Sequence, residues 1–229
     1  MRKIIFADLT KVNLEATIAD VHVVHSAEQL TDENKIFLMD TEDVDMVINE
    51  TNQVYLPVTI LNEVNEKVQV YFDLELYPFY QKIKETITDT KGVLRFRRVI
   101  DRVETERLIV SDLILFYELL GEPRRVFSTR SNPELVPHHI IITVDFGDGT
   151  MAHLEYTFAD AEKIELEWSG VKHIIEFDSD EMNPFHPKQG SYLPLSYSAD
   201  SILHTARQVD ENLLNRLEQF TKLLQGGAN

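Results

Sequence analysis

The sequence contains no cysteine. That removes disulfides, thiolate nucleophiles and thiolate metal ligands, and it leaves the compartment open. Glycine is scarce: of the eight present, none comes before Gly92, so no glycine-rich phosphate-binding turn follows any of the first apolar runs. Nowhere do about 18 apolar residues run together, the length a membrane-crossing helix needs. The start, MRKIIFADLTKVN, has too short an apolar run before Asp8 to be a secretion-signal core. Basic charge is also short, with 22 Lys and Arg against 39 Asp and Glu and a net charge of −17. Such a surface repels polyanions, which argues against nucleic acid and anionic membrane as partners. These deficits describe a soluble, cytoplasmic protein.

What is present is a globular composition. At 229 residues and 43% hydrophobic content the chain can bury a substantial core, in one large domain or two small ones. Two textures divide it. Up to about residue 75, short apolar runs (Ile4–Ala7, Val21–His25, Ile36–Met39, Val54–Val64, Val68–Phe72) alternate with stretches read as helical, Val12–Asp20 and Asp45–Ile48 among them. That pattern predicts a parallel α/β layer. After Gly92 the period becomes two. Ile140, Ile142, Val144 and Phe146 share one face, and beyond the Gly147-Asp148-Gly149 turn so do Ala152, Leu154, Tyr156 and Phe158. A hairpin follows from this, and Ile164, Leu166 and Trp168 extend it into a meander with one apolar face. The predicted boundary lies between Leu76 and Gly92, giving domains 1–80 and 81–229.

Two helices stand out. The stretch VSDLILFYELLGEP, Val110 to Pro123, reads as an apolar helix capped by Ser111 and stopped by Gly121 and Pro123. A long helix is predicted from about Ser198 to Gly226-Gly227, with Ile202, Ala206, Val209, Leu213, Leu217, Phe220 and Leu224 recurring at spacings of three and four. Eight of the eleven arginines fall between Arg95 and Arg130. Ion pairing with the acidic excess is the plainer account of them, and an anion pocket for phosphate or carboxylate is the functional one. The histidines show no metal-ligand spacing: His22 and His25 diverge on a strand, as do His138 and His139. No metal site is expected. Asp178-Ser179-Asp180-Glu181 reads as a solvated turn and Asn183–Pro187 as a rigid loop in which His186 is a candidate pocket residue.

The segments Lys91–Arg97, Leu119-Leu120-Gly121-Glu122-Pro123, Val126-Phe127, Asp145–Ala152 and Ile164–Gly170, in that order and spacing, resemble the glucose–fructose oxidoreductase / inositol dehydrogenase / MocA family. The match runs from about Lys91 to the carboxyl end, with fainter agreement over Val44–Leu76. The resemblance implies a small Rossmann-like N-terminal α/β layer followed by an open, mainly antiparallel sheet domain with packed helices. It also implies an oligomer formed through the open sheet.

The same resemblance sets the family's chemistry against this chain. Where the family has a glycine fingerprint after the first strand, Ile4-Ile5-Phe6-Ala7 leads into Asp8-Leu9-Thr10-Lys11-Val12, and Asp8 brings the wrong charge towards a diphosphate. The family's catalytic lysine aligns with Leu74, and its aspartate and histidine with Arg107 and Ser111. The expectation is therefore a non-catalytic ligand-binding or assembly module with no cofactor. The alternative is an NAD(P)-dependent oxidoreductase on a sugar or polyol with a rebuilt site. A cleft for a small anionic or sugar-like ligand is placed at Arg95, Arg97, Arg107, Ser111 and His186. The expected partner is a second copy through the open sheet, or an intact family member.

Overall fold

The structure is a computed structural model of the chain. It describes residues 1–30, 34–40, 44–61, 63, 65–100, 106–132, 134, 136–179 and 195–225. His186, Asp180, Glu181, Gly226 and Gly227 lie outside the described residues, and so do the pocket and helix-end readings placed on them; of the solvated turn read at 178–181, Asp178 instead closes a strand and Ser179 is buried, its hydroxyl accepting from the Ile164 amide at 3.1 Å. The chain forms two compact units, Met1–Tyr80 with Ser196–Arg216, and Gln81–Leu195 with Leu217–Asn229.

The first unit is a six-stranded sheet. Strands β1 (Arg2–Phe6), β2 (Val21–Val23), β3 (Ile36–Met39), β4 (Asn52–Pro57) and β5 (Val68–Tyr71) are parallel, and the two-residue β12 (Arg207–Gln208) closes the β5 edge antiparallel. The inner strands are continuous apolar runs, with Ile4, Ile5, Phe6, Leu38, Val54 and Val70 all buried, as strands covered on both faces require. Short helices α1 (Val44–Val47), α2 (Asp73–Leu76) and α3 (Pro78–Thr86) connect or follow them. The order is β12-β5-β4-β1-β3-β2. A dinucleotide-binding sheet runs 3-2-1-4-5-6. Here the strand beside β1 is β3, and β2 lies outside it, so the two flanking strands have exchanged places.

Residues 8–20, where Val12–Asp20 was read as helical, contain no helix. Side chains compete for the backbone there: Asp8 accepts from the Thr10 amide at 2.9 Å, and Asn13 accepts from the Ala16 amide at 3.1 Å.

The second unit is the open sheet. Its order is β11-β10-β6-β9-β8-β7, built from β6 (Gly92–Ile100), β7 (Arg125–Arg130), β8 (His138–Gly147), β9 (Thr150–Phe158), β10 (Lys163–Gly170) and β11 (Ile174–Asp178). All pairs are antiparallel except β6 with β9. The period-two reading holds: Ile140, Ile142, Ala152, Leu154, Tyr156, Ile164, Leu166 and Trp168 are at most 2% exposed. Each Ile or Leu among them, taken fully from water, contributes roughly 1.5–3 kcal/mol. The turn between β8 and β9 carries φ of 80° at Gly147, 53° at Asp148 and 86° at Gly149, which is why two glycines flank the aspartate.

Against this apolar face packs α4 (Glu106–Leu120), with the Phe96 and Phe116 rings edge to face at 4.9 Å. The helix begins a full turn earlier than the capping argument placed it. Burying Leu108, Ile109 and Val110 favours extending it, and Ser111 becomes an interior residue whose hydroxyl donates to the Leu108 carbonyl at 2.8 Å. Gly121 ends it with φ of 99°, as expected.

The predicted long terminal helix is two helices, α5 (Ala199–Thr205) and α6 (Glu211–Gln225), separated by β12. Ser198 caps α5 by accepting from the Ser201 amide at 3.2 Å, and Asp210 caps α6 by accepting from the Leu213 amide at 2.7 Å. Pairing of Arg207 and Gln208 with Gln69 and Val70 outweighs the helical periodicity. That return brings residues 196–216 into the first unit.

Two charged residues of opposite sign meet in the second unit's core. Arg98 stands on the buried face of β6, and its Nη1 donates to both carboxylate oxygens of Asp112 on α4, at 3.0 and 3.1 Å, with both side chains 0% exposed. Breaking a pair this buried leaves an uncompensated charge. Asp112→Ala is expected to cost about 3–5 kcal/mol in urea unfolding, while Arg98→Met with Asp112→Leu recovers most of that loss. An Asp112→Ala protein as stable as the parent would show that the pair does not hold α4.

Candidate functional site

Open parallel sheets bind ligands in the crevice beyond the carboxyl ends of their strands, where the chain switches direction across the sheet. In the first unit that place is the end of β1, with β3 on one side and β4 on the other. Three of the strands, β1, β3 and β5, end at an acid or a phenol. Asp8 follows β1, Asp40 follows β3, and Tyr71 and Asp73 flank the end of β5. The Ala7 amide donates to the Met39 carbonyl at 3.0 Å, which sets Asp40 beside the end of β1. Its carboxylate is about half exposed and lies 3.9 Å from His25 Nδ1.

Behind the acids lies a phenol cluster. Tyr71 donates to the Phe6 carbonyl at 2.7 Å, and the rings of Tyr77 and Tyr197 meet edge to face at 5.8 Å. Burial, then the negative charges of Asp73 and Asp8, push the Tyr71 phenol well above its ordinary range. Burial first, then Tyr71 and Asp73, do the same to Tyr197. Both phenols stay protonated near neutral pH and serve as hydrogen-bond donors.

The loop over residues 8–20 is closed by the chain itself. Asp8 takes the Thr10 amide and hydroxyl, at 2.9 and 2.6 Å. Tyr197 forms a parallel bridge with Val12, donating to the Lys11 carbonyl at 3.0 Å and accepting from the Asn13 amide at 2.8 Å. The Asp200 carboxylate accepts from the Ile18 amide at 2.5 Å and from the Ala19 amide at 3.0 Å.

The positions that the family resemblance assigns to acid–base chemistry carry none. Leu74 is fully buried in α2, and its neighbour Glu75 is held by Arg207 at 2.6 Å. Ser111 is buried within α4, and Arg107 is on that helix's exposed side.

Arg95 and Arg97 stand elsewhere, on the solvent face of β6. They line a cavity of about 320 Å³ with His153, Glu155, Glu165 and Glu167. Arg95 is 2.6 Å from Glu167, and Arg97 is 3.0 Å from Glu155 and 3.4 Å from Glu165. The structure thus joins Arg95 with Arg97 but not with Arg107 or Ser111, because strand alternation puts the arginines on the face opposite α4. These guanidiniums meet carboxylates, which favours the ion-pairing account of the cluster over an anion pocket. Three residues now prominent were missed in the sequence. Asp40 was legible as the acid closing an apolar strand, whereas Tyr197 and Asp200 reach their partners only through the fold.

No family model matches the sequence, nor is any curated protein similar enough in sequence to count as a relative. Solved structures do share the fold. A dehydrogenase from Chromobacterium violaceum matches at 10% identity, covering 98% of this chain and 94% of that one, with a TM-score of 0.59. A myo-inositol dehydrogenase from Corynebacterium glutamicum matches at 12%, over 100% and 90%, with 0.58. A scyllo-inositol dehydrogenase from Lactobacillus casei with bound NAD(H) and scyllo-inositol matches at 12%, over 99% and 89%, with 0.50. At these identities the likeness is one of fold, and it bears out the resemblance at that level. It also corrects the expectation of no cofactor, since the last of these proteins holds NAD(H) on the same fold. The residues after β1 do not fit a dinucleotide diphosphate in the usual position, because no helix N-terminus follows the strand and the loop's amides already meet carboxylates. Among the described residues no helix is long and apolar enough to cross a membrane.

The tyrosines give a solution test. A phenol whose pKa is raised on folding contributes stability that is present below the unfolded value and lost as pH rises through the folded one. Tyr71, Tyr156 and Tyr197 are all raised, chiefly by burial. In an alkaline titration, part of the phenolate absorbance of the eight tyrosines should appear only together with loss of the circular-dichroism signal. Complete ionisation before unfolding would show that these phenols are solvated.

Proposed function

We propose that the protein is an oxidoreductase of the sugar- or polyol-dehydrogenase class, with a rebuilt site in which a nicotinamide nucleotide is held without a glycine turn. The observation that carries this is Asp40. In dinucleotide-binding folds, an acid at the end of the strand beside the first one accepts hydrogen bonds from the adenosine ribose. Asp40 ends the strand beside β1, and it does so although that strand is the third in sequence rather than the second. The fold likeness over nearly the whole chain, to proteins whose names record dehydrogenation of inositols, supports the same reading.

A carboxylate at that position favours two ribose hydroxyls and repels a 2′-phosphate, so the site is assigned to NAD rather than NADP. The solvent-facing side of the β6–β9–β10 sheet, with its alternating charges, is proposed as a contact face for a second copy or a related dehydrogenase, or as the seat of a small sugar-like ligand. A second reading, a binding or assembly module without turnover, is favoured by one observation: Leu74, Arg107 and Ser111 stand where the family resemblance places acid–base groups.

Fluorescence titration with NADH and NADPH separates the two. NADH is expected to bind more tightly than NADPH, and Asp40→Ala should weaken NADH by roughly 10-fold while strengthening NADPH, whose 2′-phosphate then meets no carboxylate. Oxidation of inositols and related polyols with NAD is then the activity assay. No binding of either nucleotide at millimolar concentration would remove the oxidoreductase reading in favour of the second.

A further inference from the structure

We propose that the segment Tyr197–Asp200 is a latch on the loop after β1, in which the Asp200 carboxylate holds the place of a phosphate group. The two backbone amides it receives, Ile18 and Ala19, are consecutive, and each donates to a different carboxylate oxygen, at 2.5 and 3.0 Å. Successive N–H groups converging on one anion are the geometry by which loops bind phosphate. A carboxylate offers two oxygens and one negative charge, the closest match to phosphate that a side chain provides. The amides are close to solvent, since Ile18 is 94% exposed, so an external anion reaches them once the carboxylate leaves.

The remaining contacts show what moves and what stays. Tyr197 is 4% exposed and bridged to Val12 through backbone hydrogen bonds, which anchors one end of the segment in the core. The Ala199 amide, on a buried residue, donates to the Thr17 hydroxyl at 3.1 Å, a neutral bond that does not involve the Asp200 carboxylate. Releasing Asp200 therefore frees both donors without unseating Tyr197. The inference rests on the nucleotide reading above for its ligand, a nucleoside diphosphate, and on geometry alone for the latch.

Inorganic pyrophosphate is the probe, because it carries neither ribose nor nicotinamide. Calorimetry would compare the parent with Asp200→Asn and with Glu15→Gln, which removes a charge from the same exposed loop without freeing an amide. Asp200→Asn removes the charge and one of the two acceptor oxygens; Asp200→Ser, whose short side chain releases both amides, replaces it should that variant not fold. Asp200→Asn is expected to bind pyrophosphate at least about 10-fold more tightly than the parent, with Glu15→Gln within about twofold of it. Hydrogen exchange at the Ile18 and Ala19 amides should be faster in Asp200→Asn, and pyrophosphate should slow it again. Equal affinities in parent and Asp200→Asn, an equal gain in Glu15→Gln, or no protection of the two amides by pyrophosphate would each overturn the latch. Failure of the nucleotide reading at Asp40 is a separate result, since it leaves pyrophosphate binding untouched.

Discussion

The open-sheet unit is organised around one interaction, the ion pair between Arg98 and Asp112 in its core. A buried pair is weak evidence of net stability, because desolvation offsets most of the attraction. Its consequence is register. Along β6 the inward positions are Leu94, Phe96, Arg98 and Ile100, and the outward ones include Arg95 and Arg97. A slip of one residue would turn Arg95, Arg97 and Val99 inward and leave two guanidiniums facing an apolar helix with a single carboxylate. Only the observed register puts one arginine opposite the one acid that α4 buries. Glu162, 3.6 Å from Arg98 Nη2, adds a second carboxylate from the turn before β10. Helix, central strand and turn are thus held by the same guanidinium.

The parallel unit uses its acids in another way. Its inner strands bury mainly apolar residues, but its loops must satisfy backbone amides that a helix would otherwise employ. Asp8, Asn13 and Asp200 do this with side-chain oxygens, and Asp210 and Ser198 do it at helix ends. A chain with 39 acidic residues has such groups to spare. The segment after β1 keeps an ordered backbone through these local bonds, where the family fold would use a glycine turn and a helix.

How much of this the sequence disclosed follows from the range of the forces involved. Period-two alternation fixed β8, β9 and β10 residue by residue, because burial on one face leaves its record in every second side chain. The inner strands of the first unit were visible as apolar runs for the converse reason, burial on both faces. Interactions that depend on distant segments were hidden. The helical repeat from Ile202 to Leu224 is real, yet two ladder pairs with β5 break it at Arg207 and Gln208. Ser111 has the chemistry of a cap and stands where one was sought, but apolar residues preceding it made another helical turn favourable. The arginine cluster was countable, whereas its division between a solvent face and a buried pair depends on the parity of each arginine along its own element. Of the site, Asp40 was readable from its place after a strand. Asp200 was not, since its partners are more than 180 positions away.

The carboxylate contacts around residues 8–20 bear on how a fold that holds NAD(H) elsewhere tolerates the loss of its glycine turn. An amide pair left open in such a loop would be solvated and fluctuating, and the loop would depend on ligand to order it. With Asp200 in place the pair is satisfied without ligand, so the loop can order before anything binds. Affinity then becomes a competition between a tethered anion and a free one. The tethered carboxylate acts at the effective concentration its attachment provides, which for a short rigid connection is in the millimolar range or above. In the reading proposed above, a nucleotide would exceed that advantage through the second charge of its diphosphate and through ribose contacts at Asp40. The apparent affinity is its intrinsic value reduced by the fraction of molecules with the latch open. Selectivity follows from the same balance, because a single phosphate gains little over the carboxylate it would have to displace.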